Sequence, residues 1–461
     1  MASPLISFVT RLLRRTPGWT RDLAVTIGGS HLLWQRRAGH YKQKLAEHRR
    51  YRTLPRVELL EIQRRRLHDL VERAATLSPY YREKYKGIDR AVFTNLPILE
   101  KEDLHGQIDR IIIGPKKDLV PMFTGGTTGR GIVVYNKISN MQERFAIVDV
   151  MWETFGFKIS RQRIAWFSGR TLLEDNDIAR HRFWRTNWLY KIRYYSTFHL
   201  SPENLPYYVE NLNRFRPEFV NAFPAAITEV ARFIENSGST LNFQLKAIFV
   251  TSEMLYDAQR EVLERVFRCP VVNQYASSEG APFIIQCTRG NLHVDLTTGI
   301  FEVVDDDGNP SQEGEVIVTG FTPQDTPIIR YRIGDRVRLA PSSAICPCGW
   351  DTPLAEAVLG RSAEFIDIPG RGRLFTVQIV DCLKDVTSVQ GLQVEVVDGR
   401  LEIDVVADRD VFESRDKATF VKKVRERVGD FPIEIRHVDG IPRAPSGKQS
   451  IFRKRHESRP L

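Results

Sequence analysis

Among its 461 residues the chain has no apolar run close to the 18 or so residues of a membrane span, so no transmembrane helix is predicted. Cysteine is scarce. Five in so long a chain, an odd number, argue against a disulfide framework of the secreted kind and point to a reducing compartment, the cytoplasm. The stretch Leu5-Ile6-Ser7-Phe8-Val9 is too short for a signal peptide and runs straight into Arg11, Arg14 and Arg15. Internal repeats and low-complexity segments are absent. No recognised nucleic-acid-binding module accompanies the net charge of +10, so the basic clusters at Arg11 to Arg21, Arg49 to Arg52 and Arg453 to Arg455 point to small anionic ligands and not to nucleic acid.

What is present suits a large folded enzyme. A hydrophobic share of 42% over this length can bury a sizeable core and build more than one domain. Leu5, Phe8, Val9, Leu12 and Leu13 fall on one side of a helix flanked by arginines, a pattern that packs on its own domain or, at most, touches a membrane peripherally. Residues 57 to 85 read as one long helix, with Leu59, Leu60, Leu67, Leu70, Val71 and Ala74 near helical spacing. Leu245 to Val250 and Val271 to Tyr275 read as buried strands around a helix over Tyr256 to Phe267, a βαβ pattern that predicts an α/β fold with a parallel sheet. From Ile300 hairpins take over, with turns at Asp307-Gly308 and Asp398-Gly399. A boundary is expected near Gly360-Arg361, followed by a strand pair through Leu392 to Val406, a helix over Val411 to Val428 and a strand at Ile433 to Val438.

Five motifs carry chemistry. Phe123-Thr124-Gly125-Gly126-Thr127-Thr128-Gly129-Arg130 joins three glycines and three threonine hydroxyls in one loop, a composition that brings backbone N–H groups and hydroxyls close to phosphate. It is no Walker A loop, because only three residues separate Gly125 from Gly129 and Arg130-Gly131 follows. Asn273-Gln274-Tyr275-Ala276-Ser277-Ser278-Glu279-Gly280 places a carboxylate near hydroxyls, as Mg²⁺ and phosphate require. In Pro327-Ile328-Ile329-Arg330-Tyr331-Arg332-Ile333-Gly334-Asp335, Asp335 follows a glycine at a strand end and can accept bonds from two ribose hydroxyls. The fourth is Gly360-Arg361-Ser362-Ala363-Glu364-Phe365. The fifth, Pro442-Arg443-Ala444-Pro445-Ser446-Gly447-Lys448, presents one lysine from a loop stiffened by prolines.

In order and separation these motifs resemble the adenylate-forming (ANL) superfamily, and within it the phenylacetate:CoA ligase family with its capsular-polysaccharide-biosynthesis relatives. Leu77-Ser78-Pro79-Tyr80-Tyr81-Arg82, Leu96-Pro97-Ile98-Leu99-Glu100-Lys101 and Phe249-Val250-Thr251-Ser252-Glu253 add to the resemblance, which covers roughly residues 60 to 455. It implies a large multi-sheet N-terminal adenylate-forming domain over 1–360, with a basic helical extension over 1–56, and a small mobile α+β lid over 361–461. It also implies a two-step reaction in which a carboxylate attacks the α-phosphorus of ATP and a second nucleophile, CoA, displaces AMP. Thr124, Gly125, Gly126, Thr127, Thr128 and Gly129 would then hold phosphates. Ser252, Glu253, Tyr275, Ala276, Ser277 and Ser278 would line the nucleotide, with Ser278 at the α-phosphate. Glu279 would bind Mg²⁺, Asp335 and Arg361 the ribose and nearby oxygens, and Lys448 the pentavalent transition state. Ala276 stands where the family has glycine, and Ala363-Glu364 where its hinge has an aspartate, which puts the thiol-transfer step in question. An amine is the alternative acceptor, and a nucleotide-binding scaffold without turnover is the alternative of another class. A homodimer is compatible with the chain.

Cys287, His293, Cys346 and Cys348 form a separate set. Three thiolates and one imidazole suit a closed tetrahedral structural Zn²⁺ site, and ordinary reduced cysteines beside a surface histidine are the other reading. The small-molecule carboxylate leaves the weakest trace. Trp166, Phe183, Trp184, Trp188, Tyr190, Tyr194 and Tyr195 could line its cleft or fill a core, and Asn221-Ala222-Phe223-Pro224-Ala225 resembles the family's loop beside the acyl group.

Overall fold

The computed structural model describes residues 18–123, 132–170, 172–361, 365–369, 372–375, 379, 382–383, 386, 388–442 and 449–453. They form two compact units, one drawn from 18–29, 160–272 and 359–453, the other from 30–159 and 273–358.

In the first unit, strands Ala247–Val250, Phe219–Ala222, Ile164–Ser168 and Ile192–Ser196 lie side by side and parallel, and Trp184–Asn187 closes the edge antiparallel. Alternation along the strands puts Phe167, Tyr195, Val220, Ala222, Ile248 and Val250 on one face, where helices Leu205–Phe215, Pro224–Ser237 and Asp257–Phe267 cover them with Tyr208, Leu212, Ile227, Val230 and Leu263. The βαβ expectation is thus met, with the strand expected at Leu245 to Val250 starting at Ala247. The C-terminal part of this unit is a small three-stranded layer. Val389–Val397 and Arg400–Ala407 pair through Asp398-Gly399, whose positive φ angles of 47° and 75° suit a tight hairpin turn, and Ile433–His437 adds in parallel. The helix expected over Val411 to Val428 forms, with a π-helical turn at Phe412–Asp416 ahead of the regular helix Lys417–Val428, and both bury Phe412, Phe420 and Val424 against the layer.

The second unit contains helices Tyr41–Tyr51, Arg56–Leu77, Pro79–Lys84, Lys101–Ile111 and Ile138–Thr154, with hairpin strands from Ile284 onward in the order Gly299–Val304, Glu313–Gly320, Ile328–Leu339, Leu354–Arg361, Leu292–Val294, Ile284–Gln286. The single helix expected over 57 to 85 is two helices broken at Ser78. Pro79 disfavours the helical conformation for the residue before it, so Ser78 turns to ψ 122°, its hydroxyl accepts from the Tyr81 N–H, and it donates to the Arg110 carbonyl. Leu59, Leu70, Val71 and Ala74 are buried as their spacing predicts.

Several arginines of the basic clusters are engaged within the protein. Arg21 pairs with Asp177 at 3.3 Å, Arg49 holds Glu153 through two bonds of 2.6 and 2.8 Å, and Arg453 reaches Glu395 and Asp404. Helix Gly18–Gln35 is fastened by Asp22, which takes Arg182 and lies 3.6 Å from the fully buried Arg185. The amphipathic pattern over Leu5 to Leu13 lies outside the described residues. Among the described residues no helix is long and apolar enough to cross a membrane.

Candidate active site and metal centre

The glycine- and threonine-rich loop is carried at the tip of a hairpin, Val120–Phe123 paired antiparallel with Val133–Asn136. Thr124, Gly125, Gly126, Thr127, Thr128 and Gly129 themselves lie outside the described residues, as do Ser362, Ala363, Glu364 and Lys448 and the side chain of Arg361.

The second motif leaves strand Val271–Tyr275 and turns sharply. Gly280 has φ 101°, and a Cβ there would stand 2.5 Å from Pro323 Cγ, so only glycine fits after the acid. Glu279 is buried at 4% exposure, and its carboxylate accepts no hydrogen bond among the described residues. Its charged neighbour is Arg144 of helix Ile138–Thr154, which donates to the Ser277 carbonyl at 2.8 Å and to Thr322 Oγ1 at 2.9 Å. Burial lowers the Arg144 guanidinium to about 10, and the Glu279 charge works against that fall. Ser277 Oγ accepts from the Ala281 N–H and so closes the turn, leaving Ala276 and Ser278 exposed. Tyr275 donates its hydroxyl to Asp335 Oδ2 at 2.6 Å, which joins the second and third motifs. Arg144 escaped the sequence reading because nothing in its own helix marks it. The other charges of the third motif are structural: Arg330 grips Glu302 and the carbonyls of Thr94 and Leu96, and Arg332 grips Glu100 and Glu315.

In the first unit the acyl-loop motif Asn221 to Ala225 lies where strand Phe219–Ala222 passes into helix Pro224–Ser237. Phe223 at its N-cap offers no capping side chain. The Ala225 N–H is satisfied instead by Glu253 Oε2 at 3.2 Å. Glu253 follows Ser252, a serine with φ 70°, in the left-handed region that costs a non-glycine residue on the order of 1 kcal/mol. Its other oxygen, Oε1, accepts from the Gln449 backbone N–H at 3.0 Å, so the carboxylate expected to line the nucleotide is already shared by two protein donors. Three of the seven aromatic residues belong to the core. Phe183, Tyr194 and Tyr195 are buried, Phe167 stacks on Tyr195 at 4.7 Å, Trp166 is half-buried with Arg170 near its face, and Trp188 is 50% exposed.

All four residues of the metal set come together, every ligand atom within 4.8 Å of the others. Cys287 Sγ lies 3.6 Å from Cys346 Sγ, and Cys348 Sγ lies 3.3 Å from His293 Nε2. A tetrahedral zinc with bonds of about 2.3 Å to sulfur and about 2.0 Å to nitrogen spaces its ligand atoms by about 3.5–3.8 Å, so the set fits that ion. Pairing explains the convergence: Leu292–Val294 lies against Ile284–Gln286 on one side and Leu354-Ala355 on the other, bringing the two hairpin tips together. His293 Nδ1 bonds Thr352 Oγ1 at 2.9 Å, which aims Nε2 at the sulfurs. Burial, with a smaller push from Arg52, lowers the His293 imidazole to about 4 and keeps it neutral, as a ligand must be. Trp350 stacks on His293 at 4.7 Å and carries Arg52 over its ring at 3.8 Å. Cys269 and Cys382 are buried elsewhere.

The fold is one shared with acyl-CoA ligases of solved structure. No family model matches the chain. It is 31% identical over 447 residues to protein CapK of Staphylococcus aureus, covering 93% of this chain and 95% of that protein, and it belongs to the CapK family. It is also 23% identical over 253 residues to indoleacetate–lysine synthetase of Pseudomonas savastanoi, 54% of this chain and 60% of that one. Among solved structures, 2-hydroxyisobutyryl-CoA ligase in the postadenylation state shares the fold, with a TM-score of 0.67 and 16% identity over 88% of this chain and 92% of that chain.

Proposed function

We propose that the protein activates a small-molecule carboxylate with ATP, forming an acyl adenylate and pyrophosphate, and passes the acyl group to CoA, in the manner of acid–thiol ligases of the phenylacetate type. The observation that carries the reading is Glu279: a buried carboxylate left without a hydrogen bond among the described residues, in a turn that only Gly280 permits, suits a divalent cation. Mg²⁺ held there would neutralise charge on the ATP phosphates. Arg144 braces the turn from behind, and Asp335, oriented by Tyr275, would hold the ribose. The loop of Thr124 to Gly129 would bind phosphate with N–H and hydroxyl donors, Ser278 would meet the α-phosphate, Arg361 the nearby oxygens, and Lys448, carried on the 361–461 lid, would meet the charge that develops at phosphorus. We assign Cys287, His293, Cys346 and Cys348 to a structural zinc ion with no open position for substrate.

An amine acceptor is the second reading, favoured by similarity to a synthetase whose name joins indoleacetate to lysine. The absence of a disulfide among the described cysteines supports a cytoplasmic location, where ATP and CoA are found. The test is a carboxylate library scored for ATP-dependent pyrophosphate release, run with CoA, with amines and with neither. Release driven by CoA supports the thiol ligase, release driven by amines alone supports the amide reading, and release with no acid and no acceptor rejects both.

A further inference from the structure

We infer that one edge of the first unit docks on an anionic membrane surface: the apolar tip Trp188-Leu189 and the helix face of Leu23 and Ile27 enter the lipid, and Arg161, Arg163, Lys191 and Arg216 meet its phosphates. Helix Gly18–Gln35 is turned inside out in polarity over its first half. Arg21 and Asp22 are buried and bound to Asp177 and Arg182, whereas Leu23 and Ile27, one turn apart on the same face, are 43% and 64% exposed. The Trp188 N–H donates to Thr26 Oγ1 at 3.2 Å, which sets the hairpin tip beside Ile27, and there Trp188 and Leu189 are 50% and 65% exposed. Scattered apolar residues on a surface are ordinary, but these come together from two segments of the chain into one patch.

The cations lie where three strands begin. Because Ile164–Ser168, Ile192–Ser196 and Phe219–Ala222 run parallel, the turns that precede them share one edge of the sheet. Lys191 Nζ donates to the Arg161 carbonyl at 3.0 Å and Arg163 Nε to the Arg216 carbonyl at 2.8 Å, and the Lys191 N–H closes the turn on the Trp188 carbonyl, so the cations and the tip form one surface. All four cations are exposed and none has a carboxylate partner among the described residues, since Glu218 beside them is taken by Lys246 at 2.8 Å. This edge therefore presents uncompensated positive charge around protruding apolar side chains. An anionic phospholipid surface answers both halves, with acyl chains for Leu23, Ile27 and Leu189, the headgroup boundary for the Trp188 indole, and phosphates for the cations. Either half alone gives weak attachment, and the two add.

The experiment uses the full chain and co-sedimentation with vesicles of phosphatidylglycerol mixed into phosphatidylcholine, beside vesicles of phosphatidylcholine alone. Wild type is expected to bind the anionic vesicles, to bind the neutral ones far less, and to leave the lipid as salt rises. Arg161→Gln with Lys191→Gln should weaken partitioning by about twentyfold, at about fivefold per charge near the surface. Ile27→Ser with Leu189→Ser should weaken it by about tenfold or more through the apolar surface lost. All four positions are exposed, so the melting temperatures of both variants should match wild type. Brominated lipid should quench the tryptophan fluorescence of wild type more than that of Trp188→Phe. Wild type that ignores anionic vesicles, or binding that both pairs of substitutions leave unchanged, would overturn the inference. A wild-type dimer that Ile27→Ser with Leu189→Ser dissociates, in a protein indifferent to vesicles, would overturn it too and give the patch to a second copy of the chain.

Discussion

Replacing Cys346 with serine tests whether the four converged ligands hold a metal. Cys287 and Cys346 are 59 positions apart, and a cross-link closing a loop of that length removes about 4 kcal/mol of unfolded-chain entropy. The real loss is smaller, because the pairing of Leu292–Val294 with Leu354-Ala355 already restrains the hairpin tips. A destabilisation of about 2–4 kcal/mol in a unit of this size corresponds to a fall in Tm of about 5–15 °C. Burial lowers the His293 imidazole to about 4, so this ligand is neutral near pH 7. Elemental analysis of purified protein should find about one zinc per chain, scanning fluorimetry should give the shift in Cys346→Ser, and a chelator should reproduce it in wild type. Cobalt exchange should add a thiolate charge-transfer band in the near ultraviolet. Metal-free protein together with a Cys346→Ser variant that melts like wild type would refute the reasoning and return the cysteines to ordinary core packing.

Lys448→Ala is expected to lower pyrophosphate exchange by about a hundredfold or more while ATP binding by calorimetry stays close to wild type, because the cation acts where charge develops. Glu279→Gln should raise the Mg²⁺ needed for half-maximal exchange and recover in part at high Mg²⁺, and an unchanged Mg²⁺ titration would remove Glu279 as a ligand. Glu143 is 4% exposed: burial works to raise its carboxyl, but Arg66 at 2.8 Å and His48 at 3.1 Å overcome this and hold it well below the usual range. Its contribution to stability is therefore complete above the unfolded carboxylate pKa of about 4.3 and is lost as pH falls below it. Urea melts from pH 7 to pH 3 should show that loss in wild type, and Arg66→Met should cost about 3–5 kcal/mol at pH 7 by leaving the acid poorly paired.

The sequence determined much of this by local rules. Alternating and helical periods marked the strands Val271–Tyr275 and Arg400–Ala407 and the helix Asp257–Phe267, because a buried face imposes its own spacing on the chain. Asp398-Gly399 named its turn because few residues tolerate consecutive positive φ angles. Gly280 follows a local rule as well, since the turn after Glu279 has no room for a side chain, and Cys287, His293, Cys346 and Cys348 are residue types that a zinc site uses. The break at Ser78 was written in Ser78-Pro79, where a locally encoded stop outweighs an uninterrupted apolar period. Tertiary structure alone decided the partnerships. Arg144 beneath Glu279, Thr352 behind His293 and Gln449 on Glu253 come from segments with no spacing in common, joined only once strands and helices pack. It also decided which charges are free to act: Arg21, Arg49 and Arg453 belong to the basic clusters of the sequence, but the folded chain sets a carboxylate against each, and a paired charge has little left to offer a ligand.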